Sequence, residues 1–184
     1  MVLSHHSILT SFVGLAIAAS YLYTSMAIAN EAENQPQQLH FVDTRNGDPI
    51  KINPDSPQAK TFVQTGQNPY IGNQQAINQG EKLYNLYSCG QCHGSQAQGQ
   101  TAKGLSGPRF NYAKSATDKG MFEIIHAGTN GGMSAKGRGL MDPTDPKNGL
   151  SPDEILKVIA WIRNQIKPRW RSCRQWRNIS ANAL

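Results

Sequence analysis

Residues 89–93 read CGQCH, and this short stretch decides the fold. Its C-x-x-C-H spacing is that of covalent c-type haem attachment. The thiols of Cys89 and Cys92 are close enough to add to the two vinyl groups of one haem, and the adjacent His93 can then ligate the iron. A thioredoxin-like redox pair would need a βαβ context, and a zinc site would need further Cys and His pairs, which the sequence lacks. The motif therefore predicts one covalently bound haem c.

The spacing of apolar residues predicts one helix before the motif and one after it. The first covers residues 74–87 and contains Gly80, where glycine costs about 1 kcal/mol relative to alanine. An interior glycine at that cost indicates close packing against another element. The second helix covers residues 119–126, and Asp118 is its predicted N-terminal cap.

The last helix has the strongest boundary signals in the chain. Ser151 is a good N-cap, Pro152 suits the first helical position, and Glu154 completes a capping box. Pro168 is expected to end the helix. Its Trp161 is expected to contact Gly80 and Tyr84 of the first helix, next to the haem. The predicted fold class is all-α, a small mono-haem cytochrome c fold with three main helices, glycine-rich loops and no convincing strands.

Composition divides the chain into four segments. Residues 1–29 form a signal peptide, because an uncharged apolar run ends there in Ala-Ile-Ala. An uncleaved membrane anchor is the alternative, because about 20 apolar residues can span a bilayer. Residues 30–73 form an extended, proline-broken arm with a short helix around residues 59–64, expected to lie against the domain surface. Residues 74–166 form the cytochrome c domain, and residues 167–184 form a basic tail.

The charge pattern argues against nucleic-acid binding. The formal net charge of the 184 residues is +6, but the tail alone carries five basic residues and no acid. Residues 30–166 carry 13 basic and 12 acidic residues, so no basic folded face is predicted. The mean hydropathy of −0.51 excludes a polytopic membrane protein. Cys173 remains after the haem takes two of the three cysteines, and it is either free or paired between chains.

The second axial ligand of the iron has four candidates, Met121, His126, Met133 and Met141. Met133 ends a glycine-rich loop between the predicted middle and last helices, which favours it, and Met141 is the runner-up. His126 is expected at a helix C-terminus, where the helix dipole favours a cation. Met121 is expected to be a core residue at the start of the same helix.

The chain resembles the cytochrome c-L group, the electron acceptors of periplasmic quinoprotein methanol dehydrogenases, including the lanthanide-dependent ones. The resemblance covers residues 62–166 and is carried by the following segments: Phe62-x-x-Thr65-Gly66-x-Asn68-Pro69-Tyr70-x-Gly72, Cys89–Gly94, Gly107-Pro108, Thr117-Asp118-x-Gly120-x-Phe122-Glu123, Gly128-x-x-Gly131-x-Met133, Asp153-Glu154 and Ala160-Trp161-Ile162-Arg163. It implies His93 and Met133 as axial ligands, a PQQ-dependent methanol or alcohol dehydrogenase as electron donor, and a downstream cytochrome or terminal oxidase as acceptor. The predicted signal peptide and this resemblance together imply a periplasmic location.

The chain departs from the family pattern at two places. It is shorter after residue 108 and lacks a Trp-containing segment, and it is longer after Met133, with an insertion at about residues 139–148. The insertion contains Asp142 and Asp145, but two carboxylates among prolines are typical of a solvated loop. We therefore assign no metal beyond the haem iron.

Two functions are compatible with the motif. A one-electron carrier, which is not an enzyme, needs only a six-coordinate haem. A haem-based sensor or small haem enzyme needs an open sixth position and a distal acid–base residue, and no suitable His/Arg pair flanks the Met133 loop. The carrier is the preferred hypothesis, with membrane contact expected only if the leader stays uncleaved.

Overall fold

The computed structural model describes residues 39–107 and 110–166. The predicted leader, the start of the arm, Pro168 and the tail with Cys173 lie outside the described residues. The described part forms these elements in chain order: β1 (Phe41–Val42), β2 (Pro49–Ile50), α1 (Pro57–Thr65), α2 (Gln74–Leu86), α3 (Gly90–His93), a 3₁₀ turn (Ala113–Ala116), α4 (Asp118–Ala127) and α5 (Pro152–Asn164). Within those ranges, no helix is both long enough and apolar enough to cross a membrane.

Helices α2 and α5 cross at Gly80 and form the frame of the fold. A Cβ atom at Gly80 would lie 2.0 Å from the carbonyl oxygen of Lys157, so only glycine permits this approach. The rings of Tyr84 and Trp161 pack beside the crossing, with centroids 4.3 Å apart. The predicted contact between these helices is confirmed, and so is the all-α fold class.

Helix α5 begins at the residues that the sequence predicted. The hydroxyl of Ser151 accepts the backbone N–H of Glu154 at 3.3 Å, and a Glu154 carboxylate oxygen accepts the backbone N–H of Ser151 at 2.8 Å. Pro152 occupies the first turn, where its missing N–H costs no hydrogen bond. The predicted capping box is therefore confirmed.

The start of α4 corrects the predicted cap. Thr117 is the N-cap, and its hydroxyl accepts the backbone N–H of Gly120 at 3.0 Å. Asp118 lies in the first turn instead, where its carboxylate accepts the Nε–H of Arg163 at 2.9 Å. The local sequence offers two good capping residues in succession, and the ion pair with α5 decides between them.

The arm differs from the predicted extended segment on the surface. Strands β1 and β2 pair antiparallel, with Phe41 opposite Ile50, and so correct the prediction of no strands. The predicted short helix is present as α1 and buries Phe62 completely. The rings of Phe41, Phe62 and Phe122 cluster with centroids 4.9–5.7 Å apart. The described part of the arm therefore belongs to the same apolar core as the helices.

Candidate haem site

The C-x-x-C-H motif begins directly after α2 and bends sharply. Ser88 adopts a positive φ of 58°, which turns the chain, and the backbone N–H of Cys89 then donates to the carbonyl of Tyr84 at 3.0 Å. Helix α3 follows, and its His93 N–H donates to the carbonyl of Cys89 at 2.9 Å. The Tyr84 hydroxyl also donates to the carbonyl of Gly94 at 2.8 Å. Helix α2 therefore holds the motif at both of its ends.

The orientation of the His93 ring is set by a backbone carbonyl. Its Nδ1 lies 2.9 Å from the carbonyl oxygen of Lys103. A carbonyl oxygen only accepts, so Nδ1 carries the proton and Nε2 keeps the lone pair that a metal needs. Two backbone hydrogen bonds, from Ala102 N–H to Cys92 O at 2.8 Å and from Gly99 N–H to His93 O at 2.7 Å, fold residues 99–103 against the motif.

A cavity of about 540 Å³ opens beside the motif. Four of the predicted haem-contacting side chains line it together: Cys89, Cys92, His93 and Met133. Most of the lining surface is apolar, and its apolar residues include Ile125 of α4, Val158 and Ile162 of α5, and Leu105 and Phe110 of the segment before α4. The volume lies in the ordinary range for small-molecule and cofactor sites, about 300–1,000 Å³.

Met133 reaches the cavity from a tightly turned loop after α4. Gly128 ends α4 with a positive φ of 78°, and a Cβ atom there would lie 2.5 Å from the carbonyl oxygen of Met133. The Thr129 N–H closes the loop by donating to that same carbonyl at 2.8 Å. The predicted glycine-rich loop is therefore compact, and its last residue lines the cavity.

The other candidate ligands are placed differently. Met121 lines the cavity from α4 and is 3% exposed, as expected for a core residue. Met141 is 37% exposed and, like His126, is not among the residues that line this cavity. Near Met141, Asp142 accepts the N–H and hydroxyl of Thr144 at 2.9 and 2.7 Å, so this carboxylate stabilises its own turn.

His126 lies in the last turn of α4, at the helix end where the sequence predicted it. Its ring stacks on Phe122 with centroids 5.8 Å apart, and burial lowers its pKa although Asp43 opposes the shift. Within the described ranges, its buried Nδ1 has no hydrogen-bond partner. Burial therefore disfavours a charge on this ring, and the ring packs on Phe122.

Two features of the site were not predicted from the sequence. The carbonyl of Lys103 orients His93, and no sequence signal could reveal it, because every residue carries a carbonyl. Two basic residues, Lys103 and Lys136, also line the cavity. Burial raises the pKa of the Cys89 thiol, and the positive charge of Lys136 opposes that rise.

The residues present fit a covalently bound haem. Cys89, Cys92, His93 and Met133 all line one cavity, and they supply two thiols, an imidazole with a free Nε2 and a thioether. This donor set suits iron in a porphyrin. A helical fold built around such a site defines a c-type cytochrome.

Comparisons with known proteins agree with this class. A family model for cytochrome c matches residues 77–165. Cytochrome c-L of Methylorubrum extorquens is 33% identical over 162 residues, which cover 84% of this chain and 75% of that protein. The chain belongs to the cytochrome c-L family, and it carries covalent haem c as an electron carrier.

Two crystal structures are similar to the fold. Cytochrome cL from the marine methylotrophic bacterium Methylophaga aminisulfidivorans has a TM-score of 0.59 and 32% identity, over 68% of this chain and 79% of that one. Cytochrome cL from Hyphomicrobium denitrificans has a TM-score of 0.58 and 38% identity, over 68% of this chain and 73% of that one.

Proposed function

We propose that this cytochrome is a periplasmic one-electron carrier that accepts electrons from a PQQ-dependent methanol or alcohol dehydrogenase. It would pass them to a downstream cytochrome or terminal oxidase. The observation that carries the proposal is the convergence of Cys89, Cys92, His93 and Met133 on one apolar cavity. In the proposed arrangement the two thiols form the thioether links to the haem, and His93 and Met133 are the axial ligands.

The bound haem supplies a single-electron couple, and the chain's own residues hold it in one geometry. The Lys103 carbonyl holds the His93 ring through Nδ1, so the Nε2 lone pair would be free to bind the iron. A Met133 thioether bound to the iron would favour the ferrous state and raise the reduction potential, as suits an acceptor from a reduced quinone. With His93 and Met133 both bound, the iron would have no open site for a substrate, which favours a carrier over a sensor or enzyme.

The donor is supported by the family and by the surface beside the cavity. Residues 30–166 are nearly neutral, so long-range steering should be weak and apolar contact should dominate docking. Tyr112 lines the cavity and is 59% exposed, so it places apolar surface at the rim. The contact with the donor would be small and transient, below about 1,200 Å².

Stopped-flow mixing with a reduced quinoprotein methanol dehydrogenase tests the donor. We expect fast reduction that falls only modestly between low and high salt, and that stays within a few-fold when residues 167–184 are removed. Tyr112→Ser should slow the reaction several-fold, whereas Leu140→Ser, a matched apolar exposed residue outside the cavity lining, should not. No electron transfer from any quinoprotein alcohol dehydrogenase would refute the proposal. A steep salt dependence lost with the tail would instead make the tail the docking element.

The periplasmic location rests on the leader predicted at residues 1–29. Fractionation of the native cells should find the mature protein in the periplasm, with an N-terminus near Asn30. Protein retained in the membrane with residues 1–29 attached would show that the leader is an anchor.

A further inference from the structure

The turn between β1 and β2 contacts the Met133 loop at two points. The Thr44 hydroxyl donates to the carbonyl of Gly128, the residue at which the loop begins. The Asn130 side-chain amide donates to the carbonyl of Arg45 at 2.8 Å. The turn is the donor in one hydrogen bond and the loop is the donor in the other, so each segment holds the other in place.

The turn is itself held rigid by Asp43, which is 7% exposed. One carboxylate oxygen of Asp43 accepts both the backbone N–H of Arg45, at 2.8 Å, and its Nε–H, at 3.0 Å. The other oxygen accepts the Nη2–H of Arg45 at 2.7 Å. The backbone N–H of Asp43 donates to the Asp48 carbonyl at 2.8 Å across the turn. Thr44 and the Arg45 carbonyl are therefore presented to the loop from a fixed position.

The turn is further tied to α4, which leads into the loop. The backbone N–H of Val42 donates to the fully buried carboxylate of Glu123 at 2.9 Å. Glu123 also pairs with Lys114 at 2.9 Å. Strand β1 therefore cannot move away from the middle of α4 without removing one donor from this buried carboxylate, which Lys114 and Lys119 also contact.

We propose that Thr44 and Asn130 are positioning residues that keep the 128–133 loop closed and so hold the Met133 sulfur in its place at the cavity. This rests on the proposed role of Met133 as an axial ligand. Neither residue is among those that line the cavity, so each acts through the loop.

The loop needs such support because its composition favours opening. Three of its six residues are glycine, and an open glycine-rich loop gains more backbone entropy than an ordinary one. The internal bond from Thr129 to Met133 fixes the shape of the loop but does not anchor it. The two contacts from the turn add an anchor outside the loop, beside the backbone bonds from Lys136 and Gly137 to Ile125 and His126 that close its base. With Met133 bound, an external ligand would reach the iron only when the loop opens.

Imidazole binding to the ferric full-length holoprotein tests this role, because imidazole must displace Met133. The variants are Thr44→Val, which keeps the shape of threonine without its hydroxyl, and Asn130→Ala, which alters an exposed residue. We expect each to tighten apparent imidazole binding by roughly three- to tenfold, the size expected for losing one hydrogen bond. The long-wavelength absorption band of thioether-ligated ferric haem should persist without imidazole.

Thr61→Val is the matched control. Thr61 is exposed on α1, and its hydroxyl donates only to the Pro57 carbonyl of its own helix, so imidazole binding should not change. Denaturant unfolding of each variant separates positioning from general stability. A change in imidazole affinity that exceeds the change in global stability supports the proposal.

Two results would overturn the role of the contacts. One is imidazole affinity equal to wild type in both variants. The other is an equal change in the Thr61→Val control. Failure of the underlying ligand assignment looks different, because wild-type ferric protein would then lack the thioether band, or Met133→Ala would retain it.

Discussion

The two sides of the cavity differ in how far apart in the sequence their contacting residues lie. On one side, Cys89, Cys92 and His93 lie within five consecutive residues, and the carbonyl that orients His93 is ten positions away. On the other side, the loop that ends at Met133 is held by residues 84 and 85 positions away in the sequence. The motif side is therefore encoded locally, whereas the loop side depends on folding of the arm.

The largest effect is expected on the local side. Replacing Cys89 and Cys92 together by alanine should abolish covalent attachment, because no thiol remains in the motif to add to a vinyl group. Acid–acetone extraction should then strip the haem, whereas it should leave wild-type haem on the polypeptide. Cys173→Ser, which alters the remaining cysteine, should behave as wild type. Haem that is extractable from the wild-type protein would contradict the prediction.

On the loop side, Met133→Ala should abolish the thioether band of the ferric protein while the haem stays covalently bound. The band requires sulfur on the iron. Retention of the haem in this variant would show that the motif side holds the haem without the loop side. Met141→Ala is the matched control and should keep the band, because Met141 does not line the cavity. The reverse pattern would transfer the ligand to Met141, and loss in neither variant would point to Met121.

A third prediction concerns the helix frame that both sides share. In an open helix, Gly80→Ala would gain about 1 kcal/mol from propensity. Here the new Cβ would lie 2.0 Å from a backbone oxygen of α5, so we expect a net loss of about 1–3 kcal/mol. Denaturant unfolding of the holoprotein measures this. Gln79→Ala, on the exposed side of α2, should stay within about 0.5 kcal/mol, and a stabilised Gly80→Ala would show that the helices separate easily.

The smallest effect is expected from the pH response of the turn that supports the loop. Hydrogen bonds from Arg45 lower the pKa of Asp43 from 3.8 to about 2. Because the folded-state pKa is the lower one, ionised Asp43 stabilises the fold above pH 3.8 and loses that contribution as the pH falls towards 2. Asp43→Asn should therefore be less stable at neutral pH and should converge with wild type near pH 2.

Thermal unfolding of both proteins across this pH range measures the convergence. Arg45→Gln should reproduce the loss at neutral pH, because it removes the partner instead of the carboxylate. A stability difference that stays constant at every pH would show that Asp43 acts through packing alone.

The sequence correctly predicted the features that depend on residues within one helical turn of each other. The capping box of Ser151 and Glu154 is confirmed for this reason. The contact at Gly80 is also confirmed, because a glycine inside a helix usually indicates close packing against another element. The β1–β2 pair was not predicted, because two-residue strands are too short to show an alternation of apolar and polar residues. Asp118 was misplaced because its partner, Arg163, is 45 positions away.

The sequence by itself determined the cofactor, the attachment chemistry and the helical frame. Each of these depends on residues a few positions apart, and local spacing translates directly into geometry. Only the tertiary structure decided which side chains share the cavity, which placed Met121 and Met133 in its lining and left Met141 and His126 out. It also decided that the arm supports the loop, because contacts over more than 80 positions arise from packing of a common core and leave no periodic trace in the sequence.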